Sequence, residues 1–131
     1  MIAGDTSVLV RYLVGSPRSQ AVRATHLIES DDRIGLPLVA LVETAHVLRT
    51  QYGLASEAVI NLLIELLQRD NVALLGMRTE AAVAFLVRAR ALPGRPLPDA
   101  LIVAAAVEAD ALPLMTFDKD LHRYGAATRA P

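Results

Sequence analysis

Apolar residues fall along this chain in short runs separated by longer stretches of helical spacing. Residues 1–4 are a brief apolar opening that leads into a longer apolar pattern through Leu13, broken at Gly15-Ser16-Pro17. This predicts a short strand entering a helix, with Asp5 or Thr6 near the N-cap, where a side-chain oxygen satisfies an orphan backbone N–H. Ala21, Ala24, Leu27 and Ile28 recur at helical spacing and predict a helix over 19–30. Residues 33–36 read as a second strand, after which Pro37 opens a helix to about residue 51, ended by Gly53. Ser56 with Glu57 starts a helix to about residue 69, and 72–75 is a third short strand.

Thr79 with Glu80 begins a helix that continues to about residue 91. The segment Leu92-Pro93-Gly94-Arg95-Pro96-Leu97-Pro98 cannot be helical throughout and reads as a loop. Pro98 then suits the first position of a helix over 99–110, followed by a fourth strand at 112–117 and a helical turn over 118–123. Short apolar strands alternating with helices predict an α/β sandwich, a short-stranded and mainly parallel central sheet covered on both faces by many helices.

Composition narrows this picture. A chain of 131 residues that is 53% hydrophobic can bury a substantial core, and one domain over 1–131 is the expectation. Cysteine is absent, which excludes a disulfide framework and thiolate metal sites and suits a reducing cytoplasm. No apolar stretch reaches the roughly 18 residues of a membrane span. The opening lacks the basic segment of a secretory signal, and none is expected. Thirteen basic and fourteen acidic residues leave a net charge of −1, so bulk charge would not draw the chain to nucleic acid. Twelve of the thirteen basic residues are arginine, a bias that suits phosphate contacts and that GC-rich coding also produces.

Most of the acids lie in polar neighbourhoods where a solvated face accounts for them, but four do not. Asp5 is the lone charge in residues 1–10, Glu43 in 34–48, and Asp99 in 96–107, while Asp118 directly follows the uncharged 111–117. Segments this apolar are expected to be buried, and an unpaired buried carboxylate costs several kcal/mol. The nearby cations Arg49, Arg95 and Lys119 are too few to balance four carboxylates. A hard divalent cation such as Mg²⁺ or Mn²⁺, which takes oxygen ligands, is the natural complement. Topology supports convergence: Asp5 and Asp118 follow predicted strands, where open parallel sheets bind ligands, and Asp99 opens a helix facing the same rim. Taken singly, Asp5, Asp99 and Asp118 are also explained by capping or the helix dipole. Glu43 lies inside its helix, on a face with Val39, Ala40, His46 and Val47 that is expected to look inward, and a buried pair with Arg49 is its alternative.

In this order and setting the four acids resemble those of the PIN domains, specifically the VapC-type toxin ribonucleases of prokaryotic toxin–antitoxin pairs. The chain's opening Ile2-Ala3-Gly4-Asp5-Thr6-Ser7 is similar to the family's first motif, although Ser7 stands where many members have Asn and Gly4 where a larger apolar residue is common. The family's helical Glu matches Glu43 in Leu41-Val42-Glu43-Thr44. Its third acid matches Asp99 in Pro98-Asp99-Ala100-Leu101, and its closing motif matches Thr116-Phe117-Asp118-Lys119-Asp120.

The resemblance implies metal-dependent hydrolysis of RNA phosphodiester bonds, with Asp5, Asp99 and Asp118 as metal ligands and Glu43 as base, water-orienting group or outer ligand. Thr6 and Thr116 would support the carboxylates by hydrogen bonds. It also implies a cognate antitoxin and a homodimer, for which the apolar helices around 21–28 and 59–67 are candidate surfaces if they are not core.

Two other chemistries are disfavoured. A haloacid-dehalogenase phosphatase needs a second Asp two residues after its first, and Asp5-Thr6-Ser7 lacks it. A phosphoacceptor receiver domain needs an acidic pair after strand one, where this chain has a single Asp. The nearest alternative is a PIN domain of RNA maturation or a non-catalytic PIN scaffold.

Overall fold

The computed structural model describes residues 1–92 and 97–131. In chain order the elements are β1 (Ile2–Ala3), α1 (Thr6–Val14), α2 (Arg18–Ile28), β2 (Ile34–Pro37), α3 (Leu38–Thr50) and α4 (Ser56–Leu67), then β3 (Val72–Leu75), α5 (Thr79–Arg90), α6 (Leu97–Glu108), β4 (Leu114–Met115), a 3-10 turn (Leu121–Tyr124) and β5 (Thr128–Arg129). Arg95, together with the rest of 93–96 in the expected loop, lies outside the described residues. Leu97, placed in that loop by sequence, is already helical in α6, and Pro98, expected at the first helical position, is the second residue of α6. Proline is tolerated there because the first N–H groups of a helix have no intrahelical partner.

β2 is the middle strand of a three-stranded parallel sheet in the order β1-β2-β3, with Ile34 paired to Ile2 on one side and to Val72 on the other. Its Ile34, Gly35 and Leu36 are all buried, as expected for a strand covered on both faces. The edge strand β1 instead leaves Ile2 and Ala3 exposed. This is the expected α/β sandwich with a parallel central sheet. The fourth strand departs from expectation: among the described residues β4 pairs in parallel with β5, a two-residue strand that the sequence pattern did not reveal.

Helices pack in sequence-adjacent pairs, α1 on α2, α3 on α4, α4 on α5 and α5 on α6, with α3 also touching α1 and α6. The core runs through Leu9, Ile28, Leu36, Leu41, Leu48, Leu63, Leu86 and Ala104. Ala21, Ala24 and Ile28 of α2, with Val59, Leu63 and Leu67 of α4, lie within the buried set, so the apolar stripes that were candidate partner surfaces are core of this chain. Asn71 ties the end of α2 to the sheet, its side-chain amide within reach of the carbonyls of Ile28 at 2.8 Å, Asp32 at 3.1 Å and Ser30 at 3.2 Å. No helix among the described residues is long and apolar enough to cross a membrane.

Candidate functional site

Because β1, β2 and β3 run parallel, their C-terminal ends lie along one edge, and Asp5 and the start of α3 both belong to it. Asp5 follows β1 after Gly4, whose N–H bonds to Gly35 O at 2.9 Å and extends the ladder by one residue. The chain then turns into α1 with Asp5 as N-cap: its Oδ1 accepts from Val8 N at 3.2 Å and from the Ser7 hydroxyl at 2.6 Å. The Ser7 hydroxyl is the largest influence on this carboxyl and, with the Val8 N–H, holds it below its ordinary pKa; slight burial opposes them. Asp5 Oδ2 accepts no hydrogen bond among the described residues.

Glu43 reaches the same edge from α3. The Thr6 hydroxyl, at the first position of α1, donates to Glu43 Oε1 at 2.5 Å. This bond sets the helical glutamate beside the residue next to Asp5 and leaves Oε2 without a partner among the described residues. A side-chain hydrogen bond between α1 and α3 therefore couples the first acid to the second.

The expected inward orientation of Glu43 is wrong. The buried positions of α3 are Ala40, Leu41, Thr44, Ala45 and Leu48, one stripe of helical period, and Glu43 is exposed on the opposite side with Val39 and His46. Val39 is 79% exposed. The Thr44 hydroxyl, fully buried, is satisfied by donating to Ala40 O at 2.7 Å. So many α3 positions are apolar that more than one stripe is able to face the core, and tertiary packing buries the one anchored by Leu41 and Leu48. Arg49 plays no part with Glu43, whose partner is Thr6.

Burial also fails as the reason these acids need a cation. Asp5, Glu43 and Asp118 are exposed and Asp99 is half-buried. Apolar sequence neighbours do not bury an acid, because in a helix or strand the neighbouring side chains point elsewhere.

Asp99 occupies the first turn of α6, the helix that packs against α3 and α5. Asp118 follows β4, and its Oδ1 accepts from Asp120 N at 2.8 Å. Thr116 supports Asp118 through the backbone, its hydroxyl accepting from Asp118 N at 2.9 Å, and not through the carboxylate as expected. Ser7, which sequence reasoning did not place in the site, does for Asp5 what Thr6 does for Glu43. Its signal was local: a hydroxyl two residues past an N-cap acid can fold back onto it. Among the described residues no group of three or more His, Asp or Glu side chains is spaced to hold a metal ion. The link seen between the first two acids is indirect: Glu43 accepts from Thr6, the residue after Asp5.

These residues fit a divalent metal in donor chemistry, being hard oxygen anions with Oδ2 of Asp5 and Oε2 of Glu43 available.

Comparison with known proteins found a partial likeness to the acetyl-coenzyme A carboxylase carboxyl transferase subunit alpha of Sinorhizobium medicae (strain WSM419) and of Rhizobium meliloti (strain 1021), each 48% identical over 42 residues. That overlap is 31% of this chain and 13% of either subunit, so the chain spans about an eighth of the length of those relatives. A likeness so confined carries no chemistry across. The PIN domain family model, by contrast, matches residues 2–127 and so includes all four acids and both strands on which Asp5 and Asp118 follow. The chain belongs to the PIN domain family.

Proposed function

We propose that this chain is a metal-dependent endoribonuclease, the toxin component of a VapBC-type toxin–antitoxin pair, that hydrolyses RNA phosphodiester bonds at Asp5, Glu43, Asp99 and Asp118. The PIN domain is a nuclease fold, and the observation that carries the finer reading is the Thr6 bridge, which sets Glu43 beside Asp5 at the C-terminal edge of a parallel sheet. Asp5, Asp99 and Asp118 would hold Mg²⁺ or Mn²⁺, which when bound lowers the pKa of a coordinated water and neutralises charge on the phosphate.

The protein's own contribution is electrostatic and positional. Asp5 accepts from the Ser7 hydroxyl and the Val8 N–H, which favour its charged form and fix the orientation of its carboxylate. Glu43, fixed at one oxygen by Thr6, presents the other to orient a water and accept its proton. The cognate antitoxin and a homodimer are the partners this reading entails. Since the inner faces of α2 and α4 are occupied by core, both partners would dock elsewhere.

The test is cleavage of single-stranded RNA by purified protein in Mn²⁺, with Asp5→Asn as the comparison. Asparagine keeps the N-cap and removes the charge, so a folded variant with activity lowered by at least about 100-fold supports the reading. Undiminished cleavage by that variant sinks the proposed site. RNA binding without any cleavage by the wild-type chain would instead favour a non-catalytic PIN scaffold.

A further inference from the structure

We propose that the cleft between α1 and α2 is a backbone-phosphate subsite that takes the RNA strand as it leaves Asp5, an inference that rests on the ribonuclease reading above. Ser7, Val8, Arg11, Gln20, Arg23 and Leu27 line this cleft, which thus holds two guanidinium groups and no carboxylate. In a chain with a net charge of −1, such a one-sign pocket is a local departure from the overall balance.

Arg11 is held in place by its Nε donating to Gln20 Oε1 at 2.7 Å. That bond uses the inner N–H and leaves both terminal nitrogens of Arg11 without a protein partner among the described residues. Arg23, one turn along α2 from Gln20, is exposed and makes no hydrogen bond or ion pair among the described residues. Two guanidinium groups lining one cleft favour an anion there, and a guanidinium's fork of donors matches a phosphate's oxygens.

Position ties the cleft to the candidate site. Ser7 is a wall of the cleft, and its hydroxyl is the group bonded to the Asp5 carboxylate at 2.6 Å. A strand whose phosphodiester lies at Asp5 would run its neighbouring phosphates toward the cleft that Arg11 and Arg23 line. This supplies the local positive charge that the whole chain lacks, and it works on backbone alone, so it carries affinity without base preference.

Salt dependence reads this directly. Binding of a fluorescein-labelled ten-nucleotide single-stranded RNA is followed by anisotropy in EDTA, where metal-dependent cleavage is silent, across about 50–200 mM KCl. For single strands each neutralised phosphate adds about 0.7 to the slope of log K against log[salt], so Arg11→Ala/Arg23→Ala should flatten it by about 1.4 and weaken binding roughly tenfold or more at the low-salt end. Arg11→Lys/Arg23→Lys, which keeps both charges, should retain the wild-type slope. If the double alanine variant melts early, Arg23→Ala alone carries the test, with an expected change of about 0.7.

A slope unchanged in these variants while the wild type still cleaves RNA overturns the subsite and leaves the ribonuclease reading standing. A wild type that neither binds nor cleaves RNA overturns both. Tighter, Arg-dependent binding of an Asp- and Glu-rich peptide than of the RNA would assign the cleft to an acidic protein segment and overturn the phosphate subsite.

Discussion

Thr6 and Glu43 lie 37 positions apart in the chain and are joined by a hydrogen bond of 2.5 Å from Oγ1 to Oε1. The donor is the first residue of α1 and the acceptor sits mid-way along α3, so one hydroxyl links the two helices at the sheet's C-terminal edge. The bond is exposed, and its worth lies in aiming a carboxylate more than in holding the fold together. Thr6→Val should keep the melting temperature within a few degrees and lower RNA cleavage by about 10- to 100-fold, the usual cost of losing an outer-shell support. Thr6→Ser restores the hydroxyl and should recover most of the activity. Equal activity in Thr6→Val and wild type would show that Glu43 needs no such aim.

Asp5 carries two roles that substitution can separate. As N-cap of α1 it accepts from Val8 N, so Asp5→Ala should cost about 1 kcal/mol, lowering the melting temperature by roughly 3–5 °C, whereas Asp5→Asn should cost little. Both should be inactive. Calorimetry that finds the two variants equally stable would remove the cap from this account.

The Asp5 carboxyl titrates below its ordinary value of 3.8, chiefly because the Ser7 hydroxyl donates to it. A depressed folded pKa means this carboxylate's contribution to stability is present above the unfolded pKa and is lost as pH falls through the lower folded value. Ser7→Ala should therefore move the Asp5 midpoint upward, toward 3.8, in a ¹³C-carboxyl NMR titration, and narrow the acid side of the stability profile. An unmoved midpoint would mean that the backbone N–H groups of Val8, Ser7 and Asp5, and not the Ser7 hydroxyl, account for the depression.

The face that α3 presents to the core is testable by paired truncations. Leu41 is fully buried on the inner stripe, so Leu41→Ala should destabilise by about 2–5 kcal/mol. Val39, 79% exposed on the side that carries Glu43, should tolerate Val39→Ala within about 0.5 kcal/mol. Denaturant melts that reverse this order would return Glu43 to the inward face.

The parts of the fold legible in sequence are those where local periodicity and punctuation agree. Strand β3 and helices α4 and α5 begin where the pattern placed them, since Ser56, Val72 and Thr79 each open an apolar repeat of one clear period. The α1 cap was legible for the same reason, as an acid at the junction of two periods has one favourable conformation. β5 was not, because two residues paired to a distant strand leave no period to detect.

By itself, the sequence determined helices α1 to α6, the strands of the central sheet, the parallel α/β class and the order of the four acids, because propensity, capping and apolar spacing act over a few residues. Tertiary structure alone decided that Glu43 faces outward, that Thr6 and not Arg49 is its partner, and that Ser7 holds Asp5. An α3 this apolar can turn several stripes toward the core, and only the volume left between α1, α4 and the sheet selects the one carrying Ala40, Thr44 and Ala45. Once that stripe is inside, the opposite side of the helix, with Glu43, is delivered to the edge where Thr6 waits.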